Sequence, residues 1–468
     1  MELYTTNLGF ASDLIDVAKL FIINTEIKNT DNLSADIVHK SNISNFILTN
    51  QCFYKQFSFS NTIAIDKKWN LLEQKRYAKR YAKLSVYFCL KQAYDKSLPW
   101  GSLTGIRPSK LAQEIIDREE GDFAKLFGNL FDVSQPKIQL ISDILANQNG
   151  LKQLDDNVVD FYVNIPFCTS RCSYCSFTSG VISSLRQFVE PYVDKLCTEI
   201  AIFIEMCKQK GKKIKNIYFG GGTPTSLSCA ELEKIIKLFK PNGEFTVEAG
   251  RPDTIDNDKL AMLANYGVNR ISINPQTFNQ STLDLVGRRH SVLDIYQKYN
   301  LASKYNFIIN MDLIAGLPQE NLIMFENSIK QTLNLSPHNI TVHSLALKKG
   351  SELKNNAQVS DQKVVADMVD YSQSQLYKAN YSPYYMYRQK YVSESLENVG
   401  FCKNNTQCLY NIDIMEETTS IVACGCNAIS KRVFVGQNRI ERQANAKDIV
   451  TYLNDFDRFI SQKQKLFD

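Results

Sequence analysis

The chain has 468 residues, of which 44% are apolar and 22% charged, and its formal net charge is +5. A chain of this length fits two or three domains, each large enough to bury its own core. The mild positive charge is far from the bias of a nucleic-acid-binding protein, and no apolar run reaches the ~20 residues that a membrane helix needs. We therefore expect neither a nucleic-acid partner nor a membrane span.

The first residues, MELYTTNLGFASDLIDVAKLF, contain early acids and lack the basic region, apolar block and small-residue cleavage site of a signal peptide. They predict a cytoplasmic location. In that reducing compartment the twelve cysteines are not expected to form a disulfide framework, and a tight group of them indicates metal binding or chemistry.

Residues 1–150 are predicted to form an N-terminal α+β domain. The stretches ADIVHKSNISNFILTN and FYKQFSFSNTIAID alternate between apolar and polar residues, which indicates half-buried antiparallel strands. A helix follows through KKWNLLEQKRYAKRYAKLSVYFCLKQAYDKS, and its basic face (Lys75, Arg76, Lys79 and Arg80) is interpreted as solvated. The domain could cover a barrel mouth, grip a substrate or dock an electron-donor protein.

Residues 151–350 alternate between apolar runs of strand length and segments of helix length. Strands are predicted near 160–166, 214–219, 244–249, 270–274, 308–314 and 339–345. Six such units imply a parallel sheet with outer helices, curved into a partial (β/α)6 TIM-like barrel. Reactive groups in that architecture lie where the strands end. Residues 351–468 are predicted to form a C-terminal α/β extension related to the substrate.

The stretch IPFCTSRCSYCSF places Cys168, Cys172 and Cys175 at the spacing C-x3-C-x2-C, directly after the first of these strands. Three thiolates leave one iron of a four-iron cube open for a small molecule. A structural zinc site needs a fourth ligand, and no Cys or His follows within the next twenty residues. Three unused thiols in a loop would invite oxidation. The pattern therefore favours an iron–sulfur cluster.

These residues resemble the cluster motif of radical S-adenosylmethionine enzymes, C-x3-C-x-aromatic-C, with Tyr174 at the aromatic position. YVNIPFCTSRCSYCSF, GGGTPT, NPQTFN, GRRH and NMDLIAGLP resemble the oxygen-independent coproporphyrinogen III oxidase family. LTGIRPSKL, EFTVEAGRPDT and YRQKYVSESLENVG resemble its HemZ-type subgroup. The resemblance implies a partial barrel of the radical SAM type, with a [4Fe-4S] cluster and S-adenosyl-L-methionine as cofactors.

The resemblance also implies which residues contact the cofactors. Cys168, Cys172 and Cys175 would bind the cluster, and the cofactor contacts would be Tyr162, Tyr174, Gly220, Gly221, Gly222, Thr223, Glu248, Gln276, Arg288 and Asp312. Glycines admit close backbone approach, Glu248 could accept hydrogen bonds from a ribose or amino group, and Arg288 could pair with the methionine carboxylate. An acid such as Asp312 inside an apolar strand is costly to bury without a partner, which favours a function.

The activity implied is oxidative decarboxylation of coproporphyrinogen III to protoporphyrinogen IX by a 5′-deoxyadenosyl radical generated at the cluster. A tetrapyrrole substrate with four propionates needs cationic contacts, for which Arg251, Arg289, Arg388 and Lys390 are candidates. An electron donor such as flavodoxin or ferredoxin and an external electron acceptor are further implied.

Two departures from the oxidase pattern keep alternatives open. Oxidases have YxHIPFC and a further cysteine after the third ligand, where this chain has Asn164 and Phe177. The family also includes haem chaperones, which bind and deliver haem, and haem-opening methyltransferases. The pair Cys424 and Cys426 is interpreted as structural, because no further ligands stand nearby. His290 and His343 could transfer protons or serve as hydrogen-bonded structural groups.

Overall fold

The computed structural model describes residues 1–22, 25–118, 121–152, 154–346, 350–353, 361–389, 396–437 and 439–468. They form two compact units, Met1–Ser142 and Asp143–Asp468. The division between the units lies within the helix Gln135–Gln148, close to the boundary at residue 150 that the sequence suggests. Residues on both sides of the expected boundary at 350 belong to the second unit. The three-part domain division stays a prediction.

The first unit contains a five-stranded sheet. In chain order its strands are β1 (Glu2–Thr5), β2 (Lys28–Thr30), β3 (Ile37–Ser44), β4 (Ile47–Tyr54) and β5 (Phe57–Ala64). The spatial order is β2-β1-β3-β4-β5, and β3, β4 and β5 pair in antiparallel fashion. The antiparallel strands expected from the alternating sequence are therefore confirmed. The helices are Ala11–Ala18, Leu71–Tyr94, Pro108–Asp117, Phe123–Lys125 and the start of Gln135–Gln148, with single turns at Leu8–Phe10 and Leu126–Leu130.

The helix Leu71–Tyr94 confirms the long helix expected from the sequence. It begins at a capping box, in which the side chains of Asn70 and Glu73 each accept a hydrogen bond from the other's backbone N–H at 3.0 Å, satisfying two otherwise unpaired donors. Its basic side chains differ in their surroundings: Lys75 and Arg76 are exposed, Lys79 pairs with Asp13 at 3.0 Å, and Arg80 lies 4.8 Å from the ring centroid of Tyr77. Only half of this face is thus openly solvated.

The second unit is built on six parallel strands that are neighbours in chain order. They are β6 (Val158–Ile165), β9 (Lys213–Gly221), β10 (Glu244–Glu248), β11 (Arg270–Ser272), β12 (Ile308–Ala315) and β13 (Asn339–Ser344). Between them run the helices Arg186–Gln209, Cys229–Ile236, Asn257–Asn265, Gln280–Leu285, Val292–Ala302 and Leu322–Leu335. All six strands expected from the sequence are present, and the α/β fold class is confirmed.

The C-terminal residues extend this sheet on both sides. β14 (Ser382–Arg388) and β15 (Glu397–Cys402) add antiparallel strands beside β13, whereas β16 (Ser420–Cys424) lies parallel to β6 and is followed by β17 (Ile429–Phe434) and β18 (Arg439–Ala444). The helices here are Gln362–Lys378, Leu409–Glu416, Ile449–Asn454 and Phe456–Phe467. Among the described residues this sheet has eleven strands, and a separate two-stranded sheet pairs β7 (Phe167–Cys168) with β8 (Gly180–Val181).

Successive residues of each strand point to opposite faces of the sheet, and the two faces carry different kinds of side chain. On β6, Val159, Phe161 and Val163 are fully buried, and the Phe161 ring packs edge-on against Phe239. The alternate residues of β6 point to the opposite face, where Asp160 accepts a hydrogen bond from Asn216 at 2.9 Å. One face of the sheet therefore forms an apolar core, and the other carries polar and aromatic side chains.

A buried ion pair at the amino ends of β10 and β11 fixes the segment before the helix Leu409–Glu416. Arg270 and Glu244 meet at 3.0 Å, and Arg270 also donates to the carbonyl oxygens of Thr406 and Gln407. The Glu244 carboxylate accepts hydrogen bonds from the backbone N–H groups of the first helical residues, which places a negative charge at the helix start. This anchor holds Tyr410 against the polar face of the sheet.

Candidate functional site

The cysteine loop, residues 168–175, lies at the carboxyl ends of the parallel strands. The backbone N–H of Thr223 donates to the carbonyl of Phe167 at 2.7 Å. On the other side, the Ser170 hydroxyl donates to the carbonyl of Gly287 at 2.8 Å, and the N–H of Ser173 donates to that of Val286 at 3.1 Å. The loop is therefore held by the ends of β6 and β9 and by the turn after the helix Gln280–Leu285.

The glycine run at the end of β9 is shaped by close contacts that leave no room for a side chain. A Cβ atom on Gly222 would lie 2.6 Å from the carbonyl oxygen of Phe167 and 3.0 Å from Cys168 Sγ. A Cβ on Gly221, whose φ is +110°, would lie 2.3 Å from Asn164 Oδ1. The next residue, Thr223, has its hydroxyl 3.5 Å from Cys168 Sγ. Only glycine lets the backbone pass this close to the first thiol.

The three thiols differ in exposure: Cys172 is buried, whereas Cys168 and Cys175 are half-buried. Burial, with smaller contributions from the neighbouring thiols of Cys172 and Cys168, raises the pKa of the Cys175 thiol to about 11. In the part of the chain that the structure describes, no group of three or more His, Cys, Asp or Glu side chains is arranged to hold one metal ion. Thiolates of an iron–sulfur cluster bind separate irons and need not converge on one point, so this donor set fits a shared cluster.

Arg251, an expected substrate contact, lies against the cysteine loop. Its Nη1 donates to the carbonyl of Ser170 at 3.2 Å and approaches Cys172 Sγ at 3.6 Å, while Nε donates to Asp253 at 3.1 Å. Asp253 also accepts a 2.7 Å hydrogen bond from the Thr169 hydroxyl. Although burial raises it, these two hydrogen bonds bring the pKa of Asp253 below its usual range.

Arg288 lies buried beside the same loop. Its Nη1 donates to the Tyr174 hydroxyl at 3.1 Å, and Nη2 donates to the carbonyls of Gly250 and Asn274 at 2.8 and 2.6 Å. Its Nε has no hydrogen-bond partner among the described residues, although it is buried. A buried donor without a partner is costly, so this N–H is suited to an incoming anion.

Glu248, at the end of β10, accepts a 2.6 Å hydrogen bond from the hydroxyl of Tyr218 on β9. Burial raises the pKa of Glu248 to about 7, the hydrogen bond from Tyr218 opposes that shift, and the charge of Asp312 adds to it. Tyr218 stacks on Tyr410 with ring centroids 4.5 Å apart, and Tyr162 stacks on both rings at 6.2 Å. We call these three residues the tyrosine stack.

Gln276 and Asp312 meet through their backbones. The N–H of Gln276 donates to the carbonyl of Asp312 at 2.9 Å, and its own carbonyl accepts from Ile314 at 3.0 Å. These bonds hold Gln276 at φ +65°, a conformation uncommon for residues other than glycine, and its side-chain oxygen is buried without a partner among the described residues. The Asp312 carboxylate lies 3.7 Å from His343 Nε2.

The remaining expected substrate contacts differ in how accessible they are to a ligand. Arg388 is buried beside Glu397, and burial lowers the pKa of its guanidinium to about 10. Arg289 is exposed. Lys390 lies outside the described residues. The structure therefore leaves Arg289 as the described candidate that an approaching propionate could reach without displacing an internal partner.

The pair Cys424 and Cys426 lies in a buried, hydrogen-bonded loop. The carbonyl of Cys426 accepts from the Asn164 side chain at 2.6 Å, and its N–H donates to the Tyr192 hydroxyl at 3.0 Å. Between the two cysteines, the N–H of Gly425 donates to the Glu199 carboxylate at 2.7 Å. These contacts support the structural interpretation of the pair and link it to the first strand of the site.

His290 is buried, and neither ring nitrogen has a hydrogen-bond partner among the described residues. Burial, together with the nearby charge of Arg288, lowers the pKa of its imidazole to about 3. His343 differs, since its Nδ1 lies 3.2 Å from the hydroxyl of Tyr387. His343 therefore makes a contact through each ring nitrogen on the polar face of the sheet, whereas His290 Nδ1 lies 3.9 Å from the carboxylate of Asp253.

Several residues of the site were missed from the sequence. Tyr218 lies on β9, where the alternation of side chains could have indicated it. Asp253 lies in the motif EFTVEAGRPDT shortly after β10, a position that could have indicated a site residue. Tyr410 gave no such signal, because a distant segment carries it. A cavity of about 540 Å3 in the first unit, lined by residues such as Phe46 and Leu71, also escaped notice and contains none of the expected site residues.

No helix in the described ranges is both long and apolar enough to cross a membrane. Comparison with known proteins matches residues 162–332 to the radical SAM superfamily. The chain is 37% identical over 399 residues to the oxygen-independent coproporphyrinogen-III oxidase-like protein HemZ of Bacillus subtilis (strain 168), covering 81% of this chain and 79% of that one.

Other relatives carry a different name. Over 195 residues, 40% of this chain and 50% of the relative, the chain is 37% identical to the heme chaperone HemW of the same organism. Among solved structures, coproporphyrinogen III oxidase (HemN) from Escherichia coli, described as a radical SAM enzyme, is similar with a TM-score of 0.53 at 22% identity. That match covers 67% of this chain and 72% of that chain. The structural likeness supports the fold.

Proposed function

Because the chain belongs to the oxygen-independent coproporphyrinogen III oxidase family of radical SAM proteins, in its HemZ-type subgroup, we propose that it oxidatively decarboxylates coproporphyrinogen III to protoporphyrinogen IX without oxygen. Proteins of this superfamily use a [4Fe-4S] cluster and S-adenosylmethionine. The observation that carries the proposal is the packing of Gly222 against Cys168 at the carboxyl end of a parallel sheet, with Cys172 and Cys175 in the same loop.

When bound, the cluster and S-adenosylmethionine would supply the radical chemistry needed for hydrogen removal from the carbon β to a propionate carboxylate. This chain's residues bind, orient and shield those groups. Cys168, Cys172 and Cys175 would ligate three irons. Gly220 to Gly222 and Thr223 would admit the methionine end, and the unpartnered Nε of Arg288 would donate to its carboxylate.

The remaining contacts would lie on the polar face of the sheet. Glu248, Gln276 and Asp312 offer oxygen acceptors for ribose and amino groups, and the unpartnered Gln276 oxygen is the most available of them. Tyr162 and Tyr174 would flank the bound groups with aromatic surface and exclude water. We propose Arg289 and Lys390 as propionate contacts, because Arg251 and Arg388 are buried beside carboxylates.

We propose a one-electron donor such as flavodoxin or ferredoxin as the reductant, a tetrapyrrole as the substrate, and an external acceptor for the electron that the substrate loses with each carboxyl group. We also propose a cytoplasmic location for the protein. Anaerobic chemical reconstitution of the cluster uses neither partner, so cluster content and turnover can be measured separately.

The test is anaerobic turnover. Reconstituted protein is mixed with S-adenosylmethionine, a reductant and coproporphyrinogen III, and the products are followed by mass spectrometry beside a Cys172→Ala control. We expect stepwise loss of two carboxyl groups with 5′-deoxyadenosine formation, both absent in the control. Cofactor cleavage that leaves coproporphyrinogen III intact would exclude this substrate.

The second candidate is haem binding and delivery, which the similarity to heme chaperones of Bacillus subtilis and Escherichia coli favours. Asn164 and Phe177 stand where the oxidase pattern has a histidine and a cysteine, and this difference is consistent with a function other than that of the oxidases. Stoichiometric haem binding without release of 5′-deoxyadenosine would support this candidate. Opening of the porphyrin ring would instead indicate a haem-opening methyltransferase-like activity.

A further inference from the structure

Arg251 is fixed between a carboxylate and a cysteine sulfur. Only 3% of the residue is exposed, and its guanidinium meets Asp253 through Nε at 3.1 Å and Nη2 at 3.4 Å. The remaining Nη1 points to the cysteine loop, where it lies 3.6 Å from Cys172 Sγ. Two contacts to one carboxylate define the plane of the guanidinium. They therefore fix the position of Nη1 beside the sulfur of Cys172.

The partner of Arg251 is itself held in place. The Thr169 hydroxyl donates to Asp253 at 2.7 Å, so both members of the ion pair contact the cysteine loop. A buried charge is tolerated when it is paired and hydrogen-bonded, and Asp253 meets that need for Arg251. A propionate could bind Arg251 only by displacing Asp253, which explains why the expected role in substrate binding does not suit this residue.

We propose that Arg251 is a positioning residue that donates a hydrogen bond to the cluster thiolate of Cys172 and raises the reduction potential of the cluster, with Asp253 setting the size of the effect. The inference rests on the proposed ligation by Cys172 and is independent of which tetrapyrrole is the substrate. Reduction adds an electron, and a cationic hydrogen-bond donor at a ligating sulfur stabilises the more negative state.

Replacing Arg251 and replacing Asp253 should shift the reduction potential of the cluster in opposite directions. Loss of the positive charge in Arg251→Gln should lower the potential, because the reduced cluster loses its donor. Loss of the negative charge in Asp253→Asn should raise the potential, because Arg251 remains charged beside the sulfur. A merely looser loop would move both variants in the same direction, so the two signs separate electrostatics from disorder.

Arg171 supplies a matched control in the same loop. It is adjacent in sequence to Cys172, but its side chain is 48% exposed and Nη2 donates to the carbonyl of Gly350 at 2.8 Å. A solvated charge is screened by water and salt. Arg171→Gln therefore removes one positive charge from the loop while leaving the buried hydrogen bond intact.

The experiment is a potentiometric titration of the reconstituted cluster followed by electron paramagnetic resonance, without S-adenosylmethionine or tetrapyrrole. At a fixed ambient potential, we expect the ratio of reduced to oxidised cluster to fall about tenfold in Arg251→Gln, because the reduced cluster loses a charged hydrogen-bond donor at one of its thiolates. This equals a shift of about 59 mV for one electron. Asp253→Asn should shift the ratio upward, and Arg171→Gln should change it much less.

Shifts of the same sign in Arg251→Gln and Asp253→Asn, or shifts no larger than that of Arg171→Gln, would overturn the proposal. If Arg251→Gln binds no cluster, Asp253→Asn decides alone, and an unchanged or lowered potential in it would contradict the inference. A cluster signal that persists unchanged in Cys172→Ala would instead refute the proposed ligation, so the two failures are distinguishable.

Discussion

The hydroxyl of Tyr218 donates a 2.6 Å hydrogen bond to Oε1 of Glu248, which joins the second parallel strand to the end of the third. Glu248 is half-buried, and the loss of hydration raises the pKa of its carboxyl group to about 7. A protonated carboxyl can donate as well as accept a hydrogen bond. The protonation of Glu248 therefore decides which kind of group the site presents near neutral pH.

This carboxyl group makes the stability of the apo protein depend on pH. The pKa of Glu248 is about 7 in the folded state against its ordinary value of 4.5, so the folded state binds more protons between these values and stability falls as pH rises through them. Glu248→Gln removes the free-energy cost of ionising this carboxyl group in the folded protein, a cost that reaches about 3 kcal/mol at most. Thermal unfolding should show the variant more stable than wild type at pH 8 and little different at pH 4.

Two variants check this assignment. Glu190→Gln, at an exposed position, should show no such pH-dependent difference. Tyr218→Phe removes the hydrogen bond that lowers the pKa of Glu248, so the pH window should move upward. A stability difference for Glu248→Gln that is constant from pH 4 to 8 would contradict the raised pKa.

The three cysteines of the loop should be individually required for the cluster. Replacement of any one by Ala removes a thiolate ligand, and we expect iron and acid-labile sulfide per chain to fall severalfold after anaerobic reconstitution. Cys229→Ala provides the control, because Cys229 is a half-buried thiol at the start of a helix outside the loop. Equal iron content in Cys175→Ala and Cys229→Ala would count against ligation by Cys175.

Gly222 should not tolerate even a methyl group. An alanine Cβ would lie 2.6 Å from the Phe167 carbonyl oxygen and 3.0 Å from Cys168 Sγ, and overpacking of this kind costs about 1–3 kcal/mol. We expect Gly222→Ala to retain the cluster about tenfold less well than wild type, measured as iron bound after desalting. In Gly105→Ala, where a Cβ meets nothing within 4 Å, iron content should stay at the wild-type level.

The buried pair Glu199 and Lys463 should be required for the stability of the second unit. Both side chains are fully buried and in direct contact, and Glu199 also accepts from Tyr452 and Asn445. Lys463→Met leaves a buried carboxylate without its counter-ion, at a cost of about 3–5 kcal/mol. Chemical denaturation followed by circular dichroism should show this loss.

The control for that pair is Lys208→Met on the same helix as Glu199. The Lys208 side chain is 80% exposed, and its contact with Glu205 is 3.9 Å long, so little change in the denaturation midpoint is expected. A Lys463→Met midpoint equal to that of Lys208→Met would show that the remaining donors satisfy Glu199 without the lysine.

The sequence was most informative where local pattern and structure coincide. The run IINMDLI predicted a strand at 308–314, and the structure has Ile308–Ala315, because apolar runs of this length need burial on both faces of a parallel sheet. The cluster loop was indicated by spacing alone, since the three thiols are close in sequence. The family membership that these motifs suggested is confirmed.

Contacts between distant segments were not predictable in the same way. The stacking of Tyr410 on Tyr218 depends on the buried Arg270 and Glu244 pair that anchors a remote helix, and no periodicity encodes such a meeting. Arg251 was assigned to the substrate from its charge, whereas its surroundings direct it to the cysteine loop. The roles of the individual cofactor and substrate contacts stay predictions.

The strand order also constrains how the protein can be made. β6 obtains its outer neighbour only from β16, with Val159 opposite Ser420, and β13 obtains its outer neighbour from β15. During synthesis from the N-terminus, the six parallel strands therefore emerge before the strands that cover their two edges. The unpaired backbone N–H and C=O groups of such edge strands can pair with other chains. The last quarter of the chain protects the nascent sheet from aggregation as well as completing its architecture.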